Sequence, residues 1–88
     1  MKIKFDKRFK KNFKSRILPH KKLLKKYEDR LEKFIQDKNN AILKDHQLIG
    51  TLKGTRSFSI TGDIRVIYVL RNPNEAIFLD IGTHNQVY

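Results

Sequence analysis

Met1, Ile3 and Phe5 alternate with Lys2 and Lys4, a period of two that predicts a short half-buried strand. Asp6 is placed to cap the helix expected after it. Phe9, Phe13 and Ile17 recur every four residues and line one side of that helix, with Lys7, Arg8, Lys10, Lys11 and Lys14 covering the rest, and Pro19 ends it. A second helix is expected from about His20 to Asp37. Its apolar stripe is Leu23, Leu24, Tyr27, Leu31, Phe34 and Ile35, and Asn39-Asn40 marks its end. The short link predicts an antiparallel helical hairpin.

The texture changes after Asn40. Ala41 to Lys53 has no clear period. From Gly54 the chain reads as β: a strand over Thr55 to Ile60, a tight turn at Thr61-Gly62-Asp63, and a second strand from Ile64 to Leu70 rich in β-branched residues. A turn at Asn72-Pro73-Asn74 and a third strand from Ala76 to Ile81 come next. Gly82-Thr83-His84 is expected to break that strand, leaving Asn85 to Tyr88 as a short tail. The order β-α-α-β-β-β predicts an α+β domain, a mainly antiparallel sheet with the helical hairpin on one face.

At 88 residues the chain forms one domain with a small core, residues 1–88. It has no Cys, so a disulfide framework, a thiolate zinc site and a Cys nucleophile are excluded. No apolar run reaches the roughly 20 residues of a membrane span, and no secretory h-region comes after the N-terminal charges. The expected location is the cytoplasm. Charge adds more. Twenty Lys and Arg against nine Asp and Glu give a net +11, which calls for an acidic polymer or partner. The excess sits in the first half: residues 1–45 hold 16 basic against 6 acidic side chains, and residues 46–88 hold 4 against 3.

No metal spacing and no Gly-rich phosphate loop is present, and Ser57 and Ser59 lie within a strand with no elbow around them, so neither a metal nor a cofactor is expected. What remains suits metal-free RNA cleavage, which needs a base for the ribose 2′-OH, a cation for the phosphate and an acid for the leaving 5′-oxygen. His46, Asp63, His84 and Tyr88 are the candidate proton carriers, and Lys53, Arg56 and Arg65 the candidate cations. His20, beside Pro19 at a helix junction, reads as a surface or capping residue. Arg65 stands out because it opens an otherwise apolar strand, where a cation has either a ligand or a partner such as Asp63 or Asp80.

Lys44-Asp45-His46-Gln47-Leu48-Ile49-Gly50, with Leu52-Lys53-Gly54-Thr55-Arg56 after it, resembles the KDHxLxGxxKGxR stretch of YafQ-like toxins in the RelE/ParE superfamily. Gly62-Asp63-Ile64-Arg65-Val66-Ile67-Tyr68 looks like the next strand of that family. Ile81-Gly82-Thr83-His84, with Tyr88 at the end, looks like the family's GTH close and terminal aromatic. The resemblance implies the toxin of a type II toxin–antitoxin pair that cuts mRNA on the ribosome, with a cognate antitoxin covering the basic surface in a hetero-oligomer. It implies a small twisted antiparallel sheet carrying a two-helix hairpin.

Residue by residue, His46 matches the KDH histidine, Asp63 the turn aspartate, and His84 the GTH histidine, a candidate general acid. Tyr88 matches the terminal aromatic, expected to stack on or orient a base. Arg65 looks like the RelE-type strand arginine at the scissile phosphate, with Lys53 or Arg56 as further RNA contacts. The lysines of the N-terminal helices would meet ribosomal RNA and the antitoxin. Two positions depart from the pattern: Ser59 stands where the family has a His, and Asp80 where it has an Arg. Arg65 would restore the missing cation. The competing readings are a ParE-like toxin that poisons DNA gyrase, and a decayed member that only binds antitoxin or RNA.

Overall fold

A computed structural model describes residues 1–88, Thr51 through its backbone alone. Strand β1 (Lys2–Phe5) leads into helix α1 (Lys7–Arg16), and helix α2 (Lys21–Gln36) returns. Two single 3-10 turns, Ala41–Leu43 and Gly50–Leu52, flank the two-residue strand β2 (His46–Gln47). Strands β3 (Arg56–Ser59), β4 (Ile64–Asn72) and β5 (Glu75–Thr83) come next, and helix α3 (His84–Val87) is last. The five strands form one sheet in the order β1-β5-β4-β3-β2. All neighbours are antiparallel except β1 and β5, which run parallel because the helical hairpin carries the chain across to them.

Local chemistry explains the boundaries. The Asp6 carboxylate accepts from the Arg8 N–H at 3.0 Å and caps α1. Helix α1 stops three residues before Pro19, which cannot extend it. His20 is the exposed residue that opens α2, and its ring makes no capping bond.

Helices α1 and α2 lie on one face of the sheet, and aromatic rings fill the space between. Phe34 of α2 is fully buried, with its ring 4.6 Å from Phe58, 4.9 Å from Tyr68 and 5.6 Å from Phe78. Phe9 packs on Phe78 at 5.5 Å, and Phe13 on Tyr27 at 4.8 Å, which zips the hairpin together. Truncating a ring such as Phe34 to Ala costs about 3–5 kcal/mol. Ile35, expected in the same stripe, is 42% exposed, since the stripe turns inward at Phe34.

Three expectations need correcting. Strand β5 runs through Gly82 to Thr83, past the expected break. The expected tail is the helix α3. The aperiodic segment contains β2, which is too short to leave a periodic trace and exists by pairing with Ser57 and Arg56. A register shift also sits in the middle of the sheet: Ile67 faces Asp80 and Tyr68 faces Phe78, so Leu79 is the extra residue of a bulge.

Candidate functional site

The sheet face away from α1 and α2 carries the polar residues. Side chains alternate along a strand, so Phe58 and Ile60 enter the core while Ser57 and Ser59 face the other way. Directly opposite residues share a face. His46 pairs with Ser57, Ile67 with Ser57, and Arg65 with Ser59, so all of these lie on the same side.

Hydrogen bonds tie the group together. The Arg65 guanidinium donates to Ser59 Oγ at 3.0 Å, which holds it along the sheet and uses only part of its five-donor fork. The Tyr88 hydroxyl donates to Ser57 Oγ at 2.8 Å. Ser57, with no exposed surface, is covered by that contact. Tyr88 caps α3 four residues after His84, and the two rings meet edge to face, their centres 4.3 Å apart. Both remain exposed.

Helix α3 is held at its start. The Thr83 N–H donates to Gln86 Oε1 at 2.8 Å, the glutamine half of a capping box. Gly82 allows this. A Cβ there would lie 2.6 Å from Gln86 Oε1 and 2.7 Å from an Arg16 guanidinium nitrogen. That same nitrogen of Arg16 donates to the Ile81 carbonyl at 2.9 Å, sealing the edge of β5 beyond the end of β1.

The His46 loop has its own anchor. Asp45 has a side chain only 3% exposed. Its carboxylate accepts from Arg56 Nε at 2.7 Å and from the hydroxyl of the fully buried Tyr68. Burial, reinforced by the Asp45 hydrogen bond, pushes the Tyr68 phenol above its ordinary range. Desolvation pulls the Arg56 guanidinium pKa down, but its hydrogen bond to Asp45, with the Tyr68 phenol close by, outweighs this and holds it above its ordinary value. Lys44 takes a left-handed conformation, φ 50°, and Asp45 plugs inward, so His46 is turned outward. His46 Nδ1 lies 2.9 Å from the Lys44 carbonyl. A carbonyl can only accept, so Nδ1 carries the proton and Nε2 the lone pair whenever the ring is neutral. Farther along, Gly50 (φ 74°) and Gly54 (φ 93°) adopt backbone that other residues rarely enter, and they fold the loop back towards β3.

The structure thus brings His46, Arg65, His84 and Tyr88 to one face, with Ser57 and Ser59 as their supports. Asp63 lies exposed in the β3–β4 turn, at the end of the same hairpin. Its backbone N–H donates to Thr61 Oγ1 at 3.2 Å. Lys53 is exposed on the β2–β3 loop. Arg56 sits apart: it pairs with Tyr68 in the sheet, on the helix-facing side, and is bound to Asp45. Asp80 is likewise committed elsewhere. It accepts from Asn12 Nδ2 at 2.7 Å and lies 3.6 Å from Arg16, so its negative charge is spent against α1. Ser57, Ser59 and Asp45 were not singled out for these roles by sequence. The available signal was a polar position alternating with buried Phe58, and an acid beside the KDH histidine. Among the described residues no three His, Cys, Asp or Glu side chains gather as a metal site would require.

The family model for YafQ, a bacterial toxin of type II toxin–antitoxin systems, matches residues 1–88. The chain belongs to the YafQ toxin family. Among solved structures, YafQ from E. coli is 26% identical, with a TM-score of 0.77 over 98% of this chain and 96% of that one. E. coli YafQ in its complex with DinJ is similar at 26% identity and TM-score 0.72, covering 98% of this chain and 94% of that one. A YoeB/ParE toxin from Agrobacterium tumefaciens shares the fold alone, at TM-score 0.79 and 16% identity over 96% and 99% of the two chains. A search of curated proteins found no match. Among the described residues no helix is long and apolar enough to cross a membrane.

Proposed function

We propose that this toxin is an endoribonuclease that cleaves mRNA on the ribosome, by attack of a ribose 2′-OH on the adjacent phosphate. The observation that carries this is the gathering of Arg65, His84, Tyr88 and His46 on one sheet face, with the first held by Ser59 and the third by Ser57. His46 Nε2, left with the lone pair by the Nδ1 contact, takes the 2′-OH proton. The O2′–P bond forms and negative charge builds on the phosphate oxygens, where the free donors of Arg65 stabilise it. His84 gives a proton to the 5′-oxygen as the P–O5′ bond breaks. The products are a 2′,3′-cyclic phosphate and a 5′-hydroxyl. Tyr88, fixed by Ser57, offers its ring to a base. Asp63 borders this face and would orient the substrate strand, as would Lys53. Arg56 supports the His46 loop through Asp45.

The natural partner in this reading is a cognate antitoxin with acidic segments, which meets the +11 surface and closes the site in a hetero-oligomer in the cytoplasm. E. coli YafQ has been crystallised with DinJ, which supports that assignment.

The test is induced expression with primer extension on a reporter mRNA, wild type beside His84→Ala. Toxicity with discrete, codon-phased cuts that vanish in the variant is the expected result. Toxicity with intact mRNA and a DNA-damage response would move the protein to gyrase poisoning. A harmless wild type would leave antitoxin binding as the surviving role.

A further inference from the structure

Strand β2 pairs with β3 only at Arg56 and Ser57, so beyond Phe58 that edge of the sheet has no strand neighbour. A cleft of about 280 Å³ opens there, between α2, the first 3-10 turn and the β3–β4 turn. Lys26 and Arg30, one helical turn apart on α2, reach it from one side, and Lys44 from another. Ser59, Thr61 and Gly62 form its floor. Three cations and no carboxylate line it. Among the described residues Lys26 and Lys44 have no ion-pair partner. The Arg30 side chain is only 13% exposed and is braced from behind by Asp29, which leaves the rest of its fork for a ligand. Such a concentration of like charge repels itself unless an anion occupies it.

Position decides which anion. Ser59 belongs to the cleft and also accepts the hydrogen bond of Arg65. Ser59, at the open edge of β3, thus borders both the cleft and the proposed scissile-phosphate site. We propose that Lys26, Arg30 and Lys44 form a second phosphate subsite, which grips a backbone phosphate of the same RNA strand that Arg65 holds. This rests on the ribonuclease reading and adds to it: the strand would bend around the open edge of β3 and be fixed at two points, setting which bond lies under His84.

The test uses a short 2′-O-methyl RNA oligonucleotide, which cannot be cut because it lacks the free 2′-OH. Its affinity is measured over a salt series for wild type and for Lys26→Gln/Lys44→Gln; Arg30 is left intact because it is largely buried. The control, Lys2→Gln/Arg71→Gln, removes equal charge at the opposite end of β4. The expected result is about tenfold weaker binding than the control. The log affinity against log salt should also lose about 0.7 of its slope, the share of one single-strand phosphate. Equal losses in both variants would overturn the subsite and leave the ribonuclease reading standing. Hexaglutamate competing as well as RNA, and losing to the same substitutions, would assign the cleft to an acidic peptide instead. A wild type that binds no RNA at low salt would refute the subsite, while the ribonuclease reading stands or falls on the primer-extension test.

Discussion

The Asp45 anchor yields a prediction in which a mutation changes the sign of its effect. Tyr68→Phe removes one hydroxyl and leaves the ring packed on Phe34, Phe58 and Phe78. Asp45, 3% exposed at its side chain, then keeps Arg56 as its one side-chain partner. Leaving a buried charged acceptor short of a partner costs about 1–3 kcal/mol; Arg56 still neutralises the charge, which puts the loss at about 2 kcal/mol. For a domain of this size each kcal/mol moves Tm by roughly 4–8 °C, so Tm falls by roughly 10 °C. In an Asp45→Ala background the balance inverts. The Tyr68 hydroxyl is now the buried group without a partner, and removing it is neutral or stabilising. Thermal and urea unfolding of the four proteins in this cycle gives the coupling directly. A Tyr68→Phe cost that is the same in both backgrounds would refute the anchor and, with it, the account of how His46 is presented.

Arg65→Ala should lower cleavage by about 10²-fold or more with little change in Tm, since it removes a cation aimed at developing charge and no core contact; collapse of the fold would make Arg65 a structural residue. Ser59→Ala, which only loosens Arg65, should cost less than Arg65→Ala and add nothing to it in the double variant. Gly82→Ala puts a Cβ where Gln86 and Arg16 now lie, so α3 loses its cap and cleavage falls about 10–10²-fold through misplaced His84; full activity would show that α3 tolerates the shift. Burial raises the phenol pKa of both Tyr27 and Tyr68 in the folded chain. Below about pH 10 both states keep these protons and stability is intact; above it the unfolded chain releases them first, so stability falls as pH rises. Tyrosinate absorbance from these two residues should therefore appear only with unfolding, and Tyr27→Phe should flatten the alkaline loss.

The parts of the fold written in long periodic segments were legible. Phe9, Phe13 and Ile17 marked α1, and the β-branched run from Ile64 marked β4. Strand β2 and helix α3 were not, because two and four residues carry no period. One exists through pairing with β3, the other through the Thr83–Gln86 contact. Gly82 read as a breaker, yet it stays in the strand: its lack of a side chain serves neighbours 66 and 4 residues away, Arg16 and Gln86. In the candidate site, His46, Arg65, His84 and Tyr88 could be named from residue type and motif. Their supports could not. Asp45 meets Tyr68 across 23 residues and Tyr88 meets Ser57 across 31, and no local pattern announces either. Asp80 looked like an inverted charge in the site, and its partners Asn12 and Arg16 lie some 65 residues away.

The parallel pairing of β1 with β5 also sets the timing of folding. Lys2 lies beside Glu75, and Phe9, Asn12 and Arg16 all find their partners in residues 78–81. Closing a loop of about 70 residues costs roughly 4 kcal/mol of chain entropy before those contacts return anything. During synthesis the helical hairpin therefore emerges early with its aromatic face uncovered, and β5 arrives among the last elements to cover it. Arg65 and His84 gain their framework only then. A partner that captures the nascent chain would therefore meet it before that face is assembled.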